Sequence, residues 1–259
     1  MKIGAYQFAV GSSIADNLHA VRRGIEDAAK QNVRLLVFPE CALTGYPPRD
    51  IKSAADVDFR ALNVAYGEIQ KMSEKYDIYI LAGTITKVQN KYYNSARLIS
   101  PGKTIKNYHK RALWGWDKDN FAIGNKMGIF EIDGIKIGVR ICFEVRYPEY
   151  FRELYCENTA LNIILFYDVA DSDDIERYEL IKSHIRTRAA ENVTYTISVN
   201  SIRPYQTAPT GIFDKSGRII NELKRNTENL LIYNFENISD DFGEQGRRWI
   251  SDALTKKCQ

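Results

Sequence analysis

GVRICFEVRYPE, residues 138–149, is a strand that ends in a thiol and turns into a helix. The β-branched run Ile135, Ile137, Val139 and Ile141 stops at Cys142, and Pro148 marks a helix start shortly after it. A strand handing over to a helix is the unit of α/β folds, whose ligands gather at the carboxyl ends of strands. Cys142 thus stands on a rigid element and faces the open edge of a sheet, where substrate can reach a nucleophile. A lone cysteine in such a run is more often a buried, inert residue. Its weight depends on the residues brought to it.

Working outward, residues 2–8 alternate as a strand and residues 14–31 carry Ile14, Leu18, Val21, Ile25 and Ala28 at helical spacing. Residues 33–38 form a second strand, closed by Pro39 and Glu40. Strand, helix, strand implies a right-handed parallel crossover. The loop CALTGYPPRD follows, then a helix over 56–76 and a strand over 78–84. Strands 92–99 and 104–109 flank the turn Ser100-Pro101-Gly102-Lys103, so antiparallel pairs join the parallel start. Residues 110–127 have no periodicity but carry Trp114, Trp116 and Phe121, which argue for an ordered, functional loop. A hairpin about Asp133-Gly134 delivers Cys142. Beyond it come a helix over 148–156, a strand over 161–166, a helix over 173–191, a strand over 195–200, and strands 211–214, 218–223 and 230–235; no element is assigned to the stretch with Trp249. Helices apolar on one side must cover the outer faces of sheets, and this many strands need two sheets. The expected fold is a four-layer α-β-β-α sandwich in one domain, residues 1–259.

Composition narrows the function. The net charge is only +3, with 36 basic residues spread among 33 acids, so no nucleic-acid partner is expected. No apolar run approaches a membrane span and the first residues lack a signal-peptide core, which points to a cytoplasmic protein. Cys41, Cys142, Cys156 and Cys258 form no CxxC pair, and His19, His109 and His184 form no ligand pair. Neither a disulfide framework nor a metal or other cofactor is expected.

Glu40, Lys110 and Cys142 all fall at strand ends. The three make chemical sense together. A thiol with its ordinary pKa of about 8.5 is mostly protonated at neutral pH, so it needs a base. A carboxylate can take the proton, and an ammonium can stabilise the oxyanion formed on attack. That is acyl transfer from a C–N bond, with the carboxylate serving first as base and then as acid.

The segments FPECALTGYPPRD, YHKRALWGWDKDNFAIGN and GIKIGVRICFEVRYPE, with RTRAAENVTYTISVN as a fourth, resemble the nitrilase superfamily of carbon-nitrogen hydrolases, in this order over essentially the whole chain. The resemblance implies a Glu40–Lys110–Cys142 triad, an oxyanion held by Lys110 and the backbone N–H of Phe143, and the same four-layer fold. It implies hydrolysis of an amide or carbamoyl group of a small molecule through a thioester, of the amidase-like kind, by a homodimer or higher homo-oligomer. Asp117 stands where many members carry a second glutamate and is the candidate auxiliary acid. Trp114, Glu144 and Tyr167 are candidate substrate contacts. Arg140 lies in a strand position expected to be apolar; with Glu144 it either faces the pocket or pairs across a dimer. A papain-like pairing of Cys142 with His109 or His184 is the rival chemistry. His109 and Lys110 are adjacent and point oppositely on an extended strand, and Lys110 completes the family match. Cys41 has no basic neighbour. The alternative function is a non-catalytic binding or scaffold protein that keeps the fold.

Overall fold

Two six-stranded sheets lie face to face in the computed structural model, which describes residues 1–102 and 104–256. Lys103, from the expected turn, and Cys258 lie outside the described residues. The first half of the chain gives β1 (Lys2–Gln7), α1 (Ile14–Lys30), β2 (Leu35–Val37), α2 (Phe59–Tyr76), β3 (Tyr79–Val88), β4 (Lys91–Ile99) and β5 (Ile105–His109). There follow α3 (Trp116–Asn120), β6 (Ile129–Ile132), β7 (Ile135–Ile141), α4 (Pro148–Cys156), β8 (Leu161–Phe166), β9 (Val169–Ala170) and α5 (Ile175–Glu191). The last elements are β10 (Tyr195–Asn200), β11 (Tyr205–Gln206), β12 (Gly211–Phe213), β13 (Ile219–Glu222), β14 (Asn229–Asn234) and α6 (Phe242–Lys256).

The first sheet runs β14-β1-β2-β3-β4-β5 and the second β13-β12-β10-β8-β7-β6. Each has a parallel centre, β1-β2-β3 and β10-β8-β7, with antiparallel flanks. The period of two decides which side chains meet. On β8, Leu161, Ile163 and Leu165 enter the layer between the sheets, where Ile137, Val139 and Ile141 of β7 join Leu35, Val37 and Leu81. Ile164 and Phe166 point the other way, onto Ile181, Ile185 and Ala189 of α5. Across the molecule, α1 lays Val21 and Ile25, and α2 lays Leu62 and Ile69, against the outer face of the first sheet. The layers are therefore α-β-β-α, as the strand count implied.

Side-chain caps set the helix starts. Ser13 accepts the Asp16 N–H, Asp174 accepts the Arg177 N–H, and Asp58 accepts those of Arg60 and Ala61. The helix expected from residue 56 therefore begins at Phe59, and Ala54–Asp56 forms a separate 3-10 turn. The C-terminal helix α6 was not foreseen. It buries Glu244 and Ser251 while Phe242, Trp249, Ile250 and Leu254 are exposed, so its apolar spacing does not mark its packed face. Ion pairs of Asp240 with Lys215 and Arg248 hold it.

Candidate active site

Three strand ends converge on one cavity of about 530 Å³. Glu40 lies just past β2, Lys110 follows β5 directly, and Cys142 follows β7 directly. Cys142 opens a 3-10 turn, Cys142–Arg146, with φ of 45°, a left-handed conformation that breaks the strand sharply and is unfavourable for a residue with a Cβ. The turn leaves the thiol half-buried on the cavity wall.

Glu40 and Lys110 are each 1% exposed. The Lys110 ammonium sits 2.9 Å from Glu40 Oε1 and 2.8 Å from Asp117 Oδ2, a cation between two carboxylates. Asn94 Nδ2 donates to the same Glu40 oxygen at 2.7 Å, and the Tyr167 N–H donates to Oε2 at 2.8 Å. The Lys110 N–H in turn donates to the Asn94 carbonyl, so Asn94 touches both partners. Asp117 Oδ1 accepts from the Tyr46 hydroxyl at 2.9 Å, and the Tyr46 ring stacks on Tyr167 with centroids 5.1 Å apart. Gly83 permits the approach of β3 to this corner: a Cβ there would meet Pro39 O at 2.2 Å and Glu40 Cα at 2.4 Å.

Burial pushes the Glu40 carboxyl above its ordinary range, and Asp117 adds to the rise while the Lys110 ammonium opposes it. Burial works against the charge on Lys110, but Glu40 and Asp117 outweigh it and hold the ammonium well above its usual value. The Cys142 thiol is pushed well above its ordinary value by burial and then by Glu40, with Lys110 only partly offsetting them. The resting site thus holds a protonated thiol beside a buried carboxylate already shifted toward proton uptake. Attack on a substrate requires proton transfer from one to the other.

The other candidate residues divide. Phe143 lines the cavity beside Cys142, and Tyr167 forms part of its wall. Trp114 stands at the rim, 67% exposed, with the Lys118 ammonium 4.7 Å from its ring centroid. Glu144 is corrected: it is fully buried, does not line the cavity, and turns its carboxylate to the Tyr108 hydroxyl and the backbone N–H groups of Arg111, Ala112 and Ile141. Arg140 neither faces the pocket nor the surface. It lies buried beneath α4 and donates to the carbonyls of Tyr150, Met127 and Val139. His109 pairs through Nδ1 with Ser95 and stacks on Tyr93, and neither His109 nor His184 lines the cavity with Cys142. Cys41 is buried and lies outside the cavity lining too.

Sequence reading missed Asn94 and Tyr46, and the two ion pairs Asp168–Arg177 and Arg49–Asp171 in the cavity wall, at 2.7 and 2.8 Å. A signal existed for Asn94, an amide set in the middle of an otherwise packable strand. Tyr46 sits in a loop with no pattern to assign it. Among the described residues, no cluster of three or more His, Cys, Asp or Glu side chains could hold a metal ion.

A thiol on a strong turn, a buried carboxylate and a lysine on one cavity define a cysteine-dependent acyl-transfer enzyme on a four-layer sandwich. The carbon-nitrogen hydrolase family model matches residues 2–237, and the chain belongs to that family. As a member, it is a hydrolase that acts on a C–N bond through an active-site cysteine, with the family's Glu-Lys-Cys triad. The chain is similar to the 2-oxoglutaramate amidase of Bacillus subtilis, 28% identical over 190 residues that cover 72% of this chain and 70% of that protein. It is 26% identical over 230 residues to the apolipoprotein N-acyltransferase of Aquifex aeolicus, covering 82% of this chain but 47% of that longer one. The solved structure of a mutant of the Nesterenkonia AN1 amidase, of the nitrilase superfamily, superposes with a TM-score of 0.82 at 19% identity, over 100% of this chain and 98% of that one. It shares the fold.

Proposed function

We propose that the chain hydrolyses the amide or carbamoyl group of a small molecule and releases ammonia, in the manner of an amidase. Cys142 attacks the carbonyl carbon as Glu40 takes the thiol proton. Lys110 and the Phe143 N–H hold the oxyanion. Glu40 returns the proton to the departing nitrogen, the C–N bond breaks, and a thioester forms. Water, deprotonated by Glu40, then cleaves the thioester to give the carboxylic acid and the free thiol. Asp117 orients the lysine with one oxygen and is itself oriented through the other by Tyr46. Trp114 and Tyr167 offer faces to the substrate.

One observation carries this reading: the buried lysine shared by Glu40 and Asp117 on the cavity into which Cys142 opens. The similarity to an amidase that acts on a small molecule supports it. The test is ammonia release across a panel of amides, nitriles and carbamoyl compounds. We expect turnover of at least one primary amide or carbamoyl compound, abolished by Cys142→Ala. The rival reading is a binding protein that keeps the fold, with the ion pairs Arg49–Asp171 and Asp168–Arg177 in its cavity wall as polar contacts for a ligand. Absence of ammonia from the whole panel, with no labelling of Cys142 by an electrophile, would establish it.

The protein acts in this reading as a homodimer, pairing through α4 and α5. The exposure of Ile175 and Leu180 on α5 supports the pairing. Mass by light scattering tests it, and a monomer overturns it. Cytoplasmic placement suits Cys41, Cys142 and Cys156, all free thiols. No helix among the described residues is long and apolar enough to cross a membrane. Cell fractionation tests the placement.

A further inference from the structure

The lysine and the cysteine reach the cavity from different sheets. Lys110 follows β5, the edge strand of the first sheet, and Cys142 follows β7 of the second. Glu144 spans the two. Its Oε1 accepts from the Tyr108 hydroxyl at 2.7 Å, the Arg111 N–H at 2.7 Å and the Ala112 N–H at 3.4 Å, all flanking Lys110. Its Oε2 accepts at 2.7 Å from the N–H of Ile141, the residue before Cys142. The side chain has no exposed surface, so water does not compete for these bonds.

We propose that Glu144 is a positioning residue: its carboxylate clamps the strand end that carries the ammonium to the turn that carries the thiol, and so sets the distance between Lys110 and Cys142. The proposal rests on Cys142 as nucleophile and Lys110 as its cationic partner. A carboxylate is required because donors approach both oxygens. Glutamine has nearly the same shape but places an NH₂ against either Ile141 or the group around Lys110, so one side of the clamp opens. Neighbouring ion pairs, Glu153 with the side chains of Arg111 and Arg140, brace the same region; Glu153 makes none of the hydrogen bonds to Glu144, and Arg111 meets the clamp through its backbone N–H alone.

Glu144→Gln separates a catalytic clamp from ordinary support. Lys110 opposes the burial that raises the Cys142 thiol, so a loosened lysine shifts the pH midpoint of Cys142 alkylation upward. Alkylation by iodoacetamide, followed on the Cys142 peptide by mass spectrometry, reads this without any substrate. We expect a rise of about half a pH unit or more. On whatever amide the enzyme turns over, kcat should fall about tenfold or more with KM within about threefold. Glu153→Gln, by contrast, should lower Tm and leave the alkylation midpoint in place. A folded Glu144→Gln protein with the parent alkylation midpoint overturns the proposal, whatever its kcat. If Glu144→Gln does not fold, Tyr108→Phe, which removes one donor, decides: a smaller upward shift supports the clamp and an unmoved midpoint overturns it. Failure of the amide panel would leave this result standing, since alkylation is scored independently.

Discussion

Lys110 is the residue on which the charges of the site depend. Two buried carboxylates face it at 2.9 and 2.8 Å, and removing its ammonium would leave them facing each other uncompensated. Lys110→Met is therefore expected to cost about 3 kcal/mol of stability as well as activity, read by chemical denaturation beside an ammonia assay. In the proposed mechanism Glu40, as the base, sets the acid limit of the rate. Burial raises its carboxyl above the ordinary 4.5, so the base is lost to protonation at a higher pH than in a solvated glutamate. The acid limb of kcat/KM should have its midpoint above 4.5, and a midpoint at or below that value would refute Glu40 as the base. Asp117→Asn keeps the size of the side chain and removes its charge. Expected is a fall in kcat of about tenfold or more with little change in KM, measured by steady-state kinetics.

Elements matter here as carriers of strand ends, and the carriers were largely legible. β-branched runs and one-sided helices identified the strands that bear Glu40, Lys110 and Cys142, because periodicity is a local signal and the sandwich buries each face according to it. What was not legible depends on contacts between distant segments. Tyr46 and Asp117 meet across 71 positions, and nothing local to either foretells the bond. Glu144 reads as an acid beside a nucleophile, and only the approach of β5 shows that its oxygens are already occupied. The helix α6 escaped because its inward face is polar. Gly83 shows how closely the elements are fitted. With Pro39 O and Glu40 Cα where its Cβ would stand, Gly83→Ala must move the segment that holds the base. A loss of about 2 kcal/mol is expected, with a larger proportional loss of ammonia release than of folded protein. Parallel denaturation and activity measurements check it.

At the scale of the whole molecule, α6 closes the chain onto the second half through Asp240, which Arg248 and Lys215 hold down to about 2. A carboxyl lowered on folding contributes stability that is present above its unfolded value of 3.8 and is lost as pH falls through about 2. Acid should therefore loosen α6 between those values. The pair is partly exposed, so Asp240→Asn is expected to cost only about 1 kcal/mol, or roughly 3 °C in Tm at neutral pH, and to flatten the acid dependence. Thermal melts across that pH interval would show it.

The left-handed backbone at Cys142 has a consequence for how the thiol is best removed. A residue with a side chain is strained at a φ of 45°, whereas glycine is not. Of the two smallest replacements, Cys142→Gly is therefore expected to fold more stably than Cys142→Ala, by about 1 kcal/mol. Chemical denaturation of the two variants side by side would show it.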